Sequence, residues 1–167
     1  MANWYGLARS NYVTALSNQA FKSLVELFNG EYVEKINEDG IVQCGFIANS
    51  EDGSTPYRRF FDQDEENAFV NELKTLIDEK HHSSITSLNE NGMGISIVDV
   101  IHSVLAPDQV LIILEVGHEK ARYITGYAYA INASGTVLTR NLEESIMLDV
   151  QNEFGGEIAL NTTAPAY

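Results

Sequence analysis

The chain has 167 residues, 44% of them apolar, and carries 24 acids against 10 bases for a formal net charge of −14. That length suits one domain with its own core. The charge makes the chain a poor direct ligand of DNA, RNA or an anionic membrane, because phosphate contacts need Lys and Arg, and a reasonable partner for a protein with a basic surface; plain solubility is the blander reading of it.

The lone Cys44 leaves no internal disulfide, which fits a reducing, cytoplasmic compartment. It sits in the apolar run Ile41 to Ile47, so packing is expected of it rather than nucleophilic use. Met1 to Tyr5 has neither the basic nor the apolar region of a signal peptide. The longest apolar run, Val110 to Leu114, is too short to span a bilayer.

In chain order, Asn3 to Val13 reads as a strand from its aromatic and β-branched content. Ser17 is a good N-cap for a helix through Phe28, with Ala20, Phe21, Leu24, Val25, Leu27 and Phe28 at helical spacing and Asn29-Gly30 as its stop. Tyr32 to Ile36 and Ile41 to Ile47 are strands joined by a Glu38-Asp39-Gly40 turn. Tyr57 to Phe61 is a short strand or ordered loop. Asp62 or Asp64 then caps a second helix through about Lys80, and Asp64, Glu65 and Glu66 suit its positive end.

Residues 81–94 read as a polar loop. Ile95 to Ala106 is expected to be helical and to break at Pro107-Asp108. Val110 to Val116 reads as a central strand, followed by a Gly117-His118-Glu119-Lys120 turn. Ala121 to Asn132 is a strand, Ser134-Gly135 a turn, and Thr136 to Thr139 a further strand. Asn141 caps a last helix that presents Leu142, Ile146, Val150 and Phe154 inward. The fold class is α+β: an antiparallel or mixed sheet of about five or six strands with three or four helices packed on it. Residues 1–156 form the domain, and 157–167 a tail without periodicity that is expected to be disordered.

No phosphate loop, dinucleotide fingerprint, zinc-type Cys/His spacing or nucleophile elbow is present, and no cofactor or metal is expected. His81-His82 follows a helix end, where imidazolium complements the last carbonyls better than two adjacent ligands share one metal. His102 lies in an apolar stretch and reads as structural. His118 and Glu119 are the catalytic candidates, since a Glu can orient an imidazole and raise its pKa. A structural turn is the plainer reading of them. Arg58-Arg59 suit an anion but are followed at once by Asp62, Asp64, Glu65 and Glu66.

Alternation puts Tyr123, Tyr127 and Tyr129 on one face of their strand and Gly126, Ala128 and Ala130 on the other. The small face suits helix packing, which would leave the tyrosines outward or against a partner; half-burial on the sheet is the plainer reading of them. The candidate binding residues are Tyr5, Arg9, Asn11, Arg122, Tyr123 and Tyr127, drawn from two motifs expected on neighbouring strands.

Those motifs are Asn3-Trp4-Tyr5-Gly6 with Ala8-Arg9-Ser10-Asn11-Tyr12, and Val116-Gly117-His118-Glu119-Lys120 with Arg122-Tyr123 and Gly126-Tyr127-Ala128. Together they resemble small acidic proteins carried by phages, plasmids and other mobile elements, mostly of unassigned function. The resemblance implies a genomic setting in which accessory proteins inhibit host defence, as anti-CRISPR and anti-restriction proteins do, some by mimicking the charge of DNA. The expected function is therefore a non-enzymatic, protein-binding accessory factor. Its acidic stretch from Glu26 to Glu90 holds 15 acids and 5 bases. The alternatives are a small enzyme using His118 and Glu119, and a homo-oligomeric module, most simply a homodimer, that buries its tyrosine face.

Overall fold

The computed structural model describes residues 4–50, 55–58, 62–77, 79, 94–119, 123–142 and 145. Its centre is a six-stranded sheet in the order β2-β3-β1-β6-β7-β8, every pairing antiparallel. The strands are β1 (Trp4–Ser10), β2 (Glu31–Ile36), β3 (Val42–Ser50), β6 (Val110–Glu119), β7 (Tyr123–Asn132) and β8 (Val137–Asn141). A separate two-stranded ladder joins β4 (Tyr57–Arg58) to β5 (Ile95–Ser96). The helices are α1 (Asn18–Leu27), α2 (Gln63–Leu76) and the short α3 (Ile97–Val100), which runs into a 3-10 turn at Ile101–Val104. The architecture is α+β, and no helix among the described residues is long and apolar enough to cross a membrane.

Both long helices begin where side-chain oxygens meet their first free amides. Ser17 Oγ accepts from the Ala20 N–H at 3.2 Å, and Asp62 Oδ1 from the Glu65 N–H at 2.8 Å. One face of each is apolar: Phe21, Leu24 and Val25 of α1, and Phe69, Val70 and Leu73 of α2, are buried. Phe28 and Phe69 meet edge-on at 5.2 Å and tie α2 to α1. Beneath them the sheet contributes Ala8, Phe46, Leu111, Ile113 and Ile131 to one continuous core.

The helix expected over Ile95 to Ala106 is broken. Its six β-branched aliphatic residues favour it weakly, and both its ends are drawn into extended pairing. Ser96 pairs with Tyr57, while Leu16 and Ala106 donate to the carbonyls of Val104 and Thr14 at 2.9 and 3.1 Å. Between them residues 97–104 stay helical, as one α turn and one 3-10 turn, and the first opens on Ser96 Oγ accepting from Val98 N–H and Asp99 Oδ2 accepting from Ser96 N–H.

The hairpins β2–β3 and β7–β8 turn in the same way. Asn37 Oδ1 accepts from the amides of Asp39 and Ile41, at 3.0 and 2.8 Å. Asn132 Oδ1 accepts from those of Ser134 and Thr136, at 3.1 and 2.9 Å. The fourth residue of each turn, Gly40 or Gly135, has a positive φ of 78° or 84°. Only glycine takes that conformation without cost.

The predicted turn over residues 117–120 is a second correction. β6 continues through His118 and Glu119, which pair with Ile124 and Tyr123 of β7. The expected loop at 81–94, Gly94 apart, the last helix beyond Ser145 and the tail lie outside the described residues.

Candidate functional site

The acidic stretch folds into adjoining elements. α2 packs on α1, and α1 on β2 and β3. Between Glu26 and Glu79 the described residues include eleven acids and three bases. Ten of the eleven are exposed: Glu26 on α1, Glu31, Glu34, Glu38 and Asp39 on β2 and its turn, Asp62, Asp64, Glu65 and Glu72 on and before α2, and Glu79. Glu66 is half-buried. The amphipathic pattern that buries Phe69 and Leu73 forces the acids outward, because a buried carboxylate without a partner is costly. Lys22 pairs with Glu26 at 3.8 Å, and Lys35 lies 4.7 Å from the Tyr12 ring centroid.

The two motifs of the sequence are neighbours, as expected. β1 pairs with β6 from Trp4↔Glu119 to Ser10↔Ile113. The six candidate binding residues are nevertheless not assembled. Arg9 is exposed opposite Leu114, which in turn faces Ala128. Five residues of strand separate Ala128 from Tyr123, about 17 Å at ~3.4 Å per residue. Tyr127 stands opposite Glu115 and Asn141, on the opposite face of the sheet from Arg9. The side chains of Tyr5 and Tyr123, and all of Arg122, lie outside the described residues.

Asn11 is part of the scaffold. Its Nδ2 donates to the Val110 carbonyl at 3.1 Å and its Oδ1 accepts from the Ile112 N–H at 2.7 Å. The carboxamide replaces a peptide group where β1 leaves the ladder. The pairing with β3 shifts there by one residue, from Arg9↔Ile47 to Val13↔Cys44, which is a bulge.

The tyrosine face turns inward, so Tyr127 and Tyr129 half-bury on the sheet rather than face outward. Tyr129 is partly buried against the core, while Ile131, on the same face of β7, is fully buried and fixes the orientation. Thr55 Oγ1 donates to Glu115 here. Burial first, and then the Glu115 carboxylate, push the Tyr129 hydroxyl up from its ordinary value. Outward instead are Leu7, Ile112, Leu114, Val116 and Leu138, each more than 40% exposed, beside Gly126, Ala128 and Ala130. The apolar run of β6 is thus central in the sheet but buried on one face.

His118 and Glu119 are consecutive ladder positions. Consecutive positions belong to opposite faces of a sheet, so the backbone does not assemble them as an acid–base pair; their side chains lie outside the described residues. So do His81, His82 and Arg59. His102 is half-buried beside Gly135. Cys44 is buried, its Sγ donating to Asn18 Oδ1 at 3.2 Å and lying 3.3 Å from the Tyr32 hydroxyl. Burial raises both the thiol and the phenol above their ordinary values. Among the described residues no three of His, Cys, Asp and Glu converge to hold a metal ion.

No family model, curated protein or solved structure matches the chain.

Proposed function

We propose that the protein is a non-enzymatic binding factor that engages a protein with a basic surface through its acidic side. The observation that carries this reading is the placement of ten exposed carboxylates on the adjoining α1, β2 and α2, and on Glu79 beyond α2. Such a surface raises the encounter rate with a basic groove and disfavours acidic partners. Taken with the resemblance to mobile-element proteins, the partner is a nucleic-acid-handling defence protein of the host. The carboxylates occupy its groove in place of phosphates.

The test is competition. A labelled DNA duplex is bound to purified restriction and CRISPR effector proteins, and its displacement by this protein is followed by anisotropy. One effector at least should release its DNA, with apparent affinity falling at least about tenfold between ~50 and ~300 mM salt as exposed charges are screened. The variant Asp64→Asn/Glu65→Gln/Glu66→Gln/Glu72→Gln, which keeps the Asp62 cap, should lose at least about tenfold at the lower salt. Displacement that ignores both salt and these substitutions, or no displacement from any effector, refutes the reading.

A further inference from the structure

The sheet has two faces, and the described helices cover only one. On the other, Leu7 lies opposite Val116, Leu114 opposite Ala128, and Ile112 opposite Ala130, which is itself opposite Leu138. The large members of this strip are 42–59% exposed. Apolar surface of this extent marks a contact.

Three observations say what makes that contact. The first is where the chain goes. Beyond β8 it turns onto this face, and Leu142 sits directly over Gly126, its Cβ and Cδ2 within 3.2 and 3.3 Å of where a Cβ on that glycine would be. Leu142 and Ser145 already form one wall of a groove of about 230 Å³ whose floor is Leu114, Val116, Gly126 and Ala128. The second is pattern and length. Leu142, Ile146, Val150 and Phe154 recur at helical spacing. At about 1.5 Å per helical residue, residues 142–154 span about 19 Å; two strand spacings of about 4.8 Å from β7 across β6 to β1 take about 10 Å, so the segment is long enough to cross all three strands obliquely. The third is charge. The face carries Arg9 and Arg140, both exposed. The chain beyond Arg140 has five acids and no Lys or Arg.

We propose that the chain's own segment 142–154 is the cover of this apolar face, docked as an amphipathic helix across β7, β6 and β1. The absence of side chains at Gly126, and their shortness at Ala128, let it approach the sheet closely at its start. Its acids then lie within reach of Arg140 and Arg9. The acidic side proposed for partner binding is on other elements, so the two readings stand or fall separately.

Hydrogen exchange on the intact, unmodified protein is the first test. The amides of residues 144–154 should exchange at least about 100-fold more slowly than unprotected ones. Exchange at the unprotected rate overturns the proposal. The second is the full-length double variant Ile146→Asp/Val150→Asp. It should bind the dye anilinonaphthalene sulfonate with several-fold higher fluorescence, while amides of β3 and α1 keep their protection. Unchanged dye binding overturns the proposal. So does a wild-type dimer, seen by light scattering, that dissociates on Leu114→Asp and leaves residues 144–154 unprotected, since a second copy would then be the cover.

Discussion

Asn11 separates a binding residue from a scaffold residue by experiment. Asn11→Ala removes two hydrogen bonds, the donation to Val110 and the acceptance from Ile112. Each is worth about 0.5–1.5 kcal/mol net, because water replaces the lost partner at this exposed site. The expected loss is therefore about 1–3 kcal/mol, or ~2–10 °C in Tm for a chain of this size. Asn11→Asp keeps the acceptor for Ile112 but sets a carboxylate against the Val110 carbonyl, so it should fall between wild type and Ala above the carboxylate's pKa. Arg9→Ala, two positions away and exposed, should stay within about 0.5 kcal/mol of wild type. Differential scanning calorimetry gives the Tm values, and hydrogen exchange at the Ile112 amide localises the effect. An Asn11→Ala protein that melts within about 1 °C of wild type, or an unaltered Ile112 amide, refutes the scaffold role.

The two asparagine–glycine turns offer a paired measurement. Gly40→Ala meets no atom within 4 Å and should cost only the left-handed backbone, about 1–2 kcal/mol. Gly135→Ala adds a contact 3.3 Å from the His102 ring and should cost more, as equilibrium urea unfolding would show. Alkaline pH supplies another prediction. Tyr32 and Tyr129 have folded pKa values raised above the ordinary 10.0. Their contribution is therefore complete below pH 10.0 and is lost as pH climbs from there toward the folded values. Tyr32→Phe and Tyr129→Phe should each flatten that decline in a Tm-against-pH series. Finally, Cys44, whose thiol is buried and raised above 9.0, should react with a disulfide reagent at neutral pH only once the protein is unfolded. Stoichiometric labelling of the native chain would contradict its placement.

Much of the fold was legible because local signals agree with tertiary need. Ser17 caps the helix it was expected to cap, Asp62 is the one of two candidate caps that does so, and β1 pairs with β6 as expected of the two motifs, though not through their polar residues. The misreadings of the sheet's faces have one source: a strand's orientation is set by its most buried residue, which need not be its most conspicuous. On β7 three tyrosines are the conspicuous residues, but Ile131 at 0% exposure fixes the face. On β6 an unbroken apolar run conceals that alternate residues face a different neighbour. Asn37 and Asn132 are masked in the sequence by Asp-Gly and Ser-Gly, which suffice as turn signals on their own. The repeated Asn-x-x-Gly spacing was the available signal, since an Asx side chain reaches the amides two and four residues on. Asn11 left no such signal, because its partners are about a hundred residues away.

The sheet divides the molecule into surfaces that answer to opposite conditions. Binding through the acids on α1, β2 and α2, as proposed, would act through charge, so added salt would weaken it. The apolar strip on β1, β6, β7 and β8 acts through exclusion of water, which a salt such as sulfate strengthens. A protein whose binding and covering surfaces were one would lose or gain both together. Here rising sulfate should release a basic partner while residues 144–154 become better protected. The reverse order of response would mean that the partner docks on the apolar face, and that the carboxylates serve solubility alone.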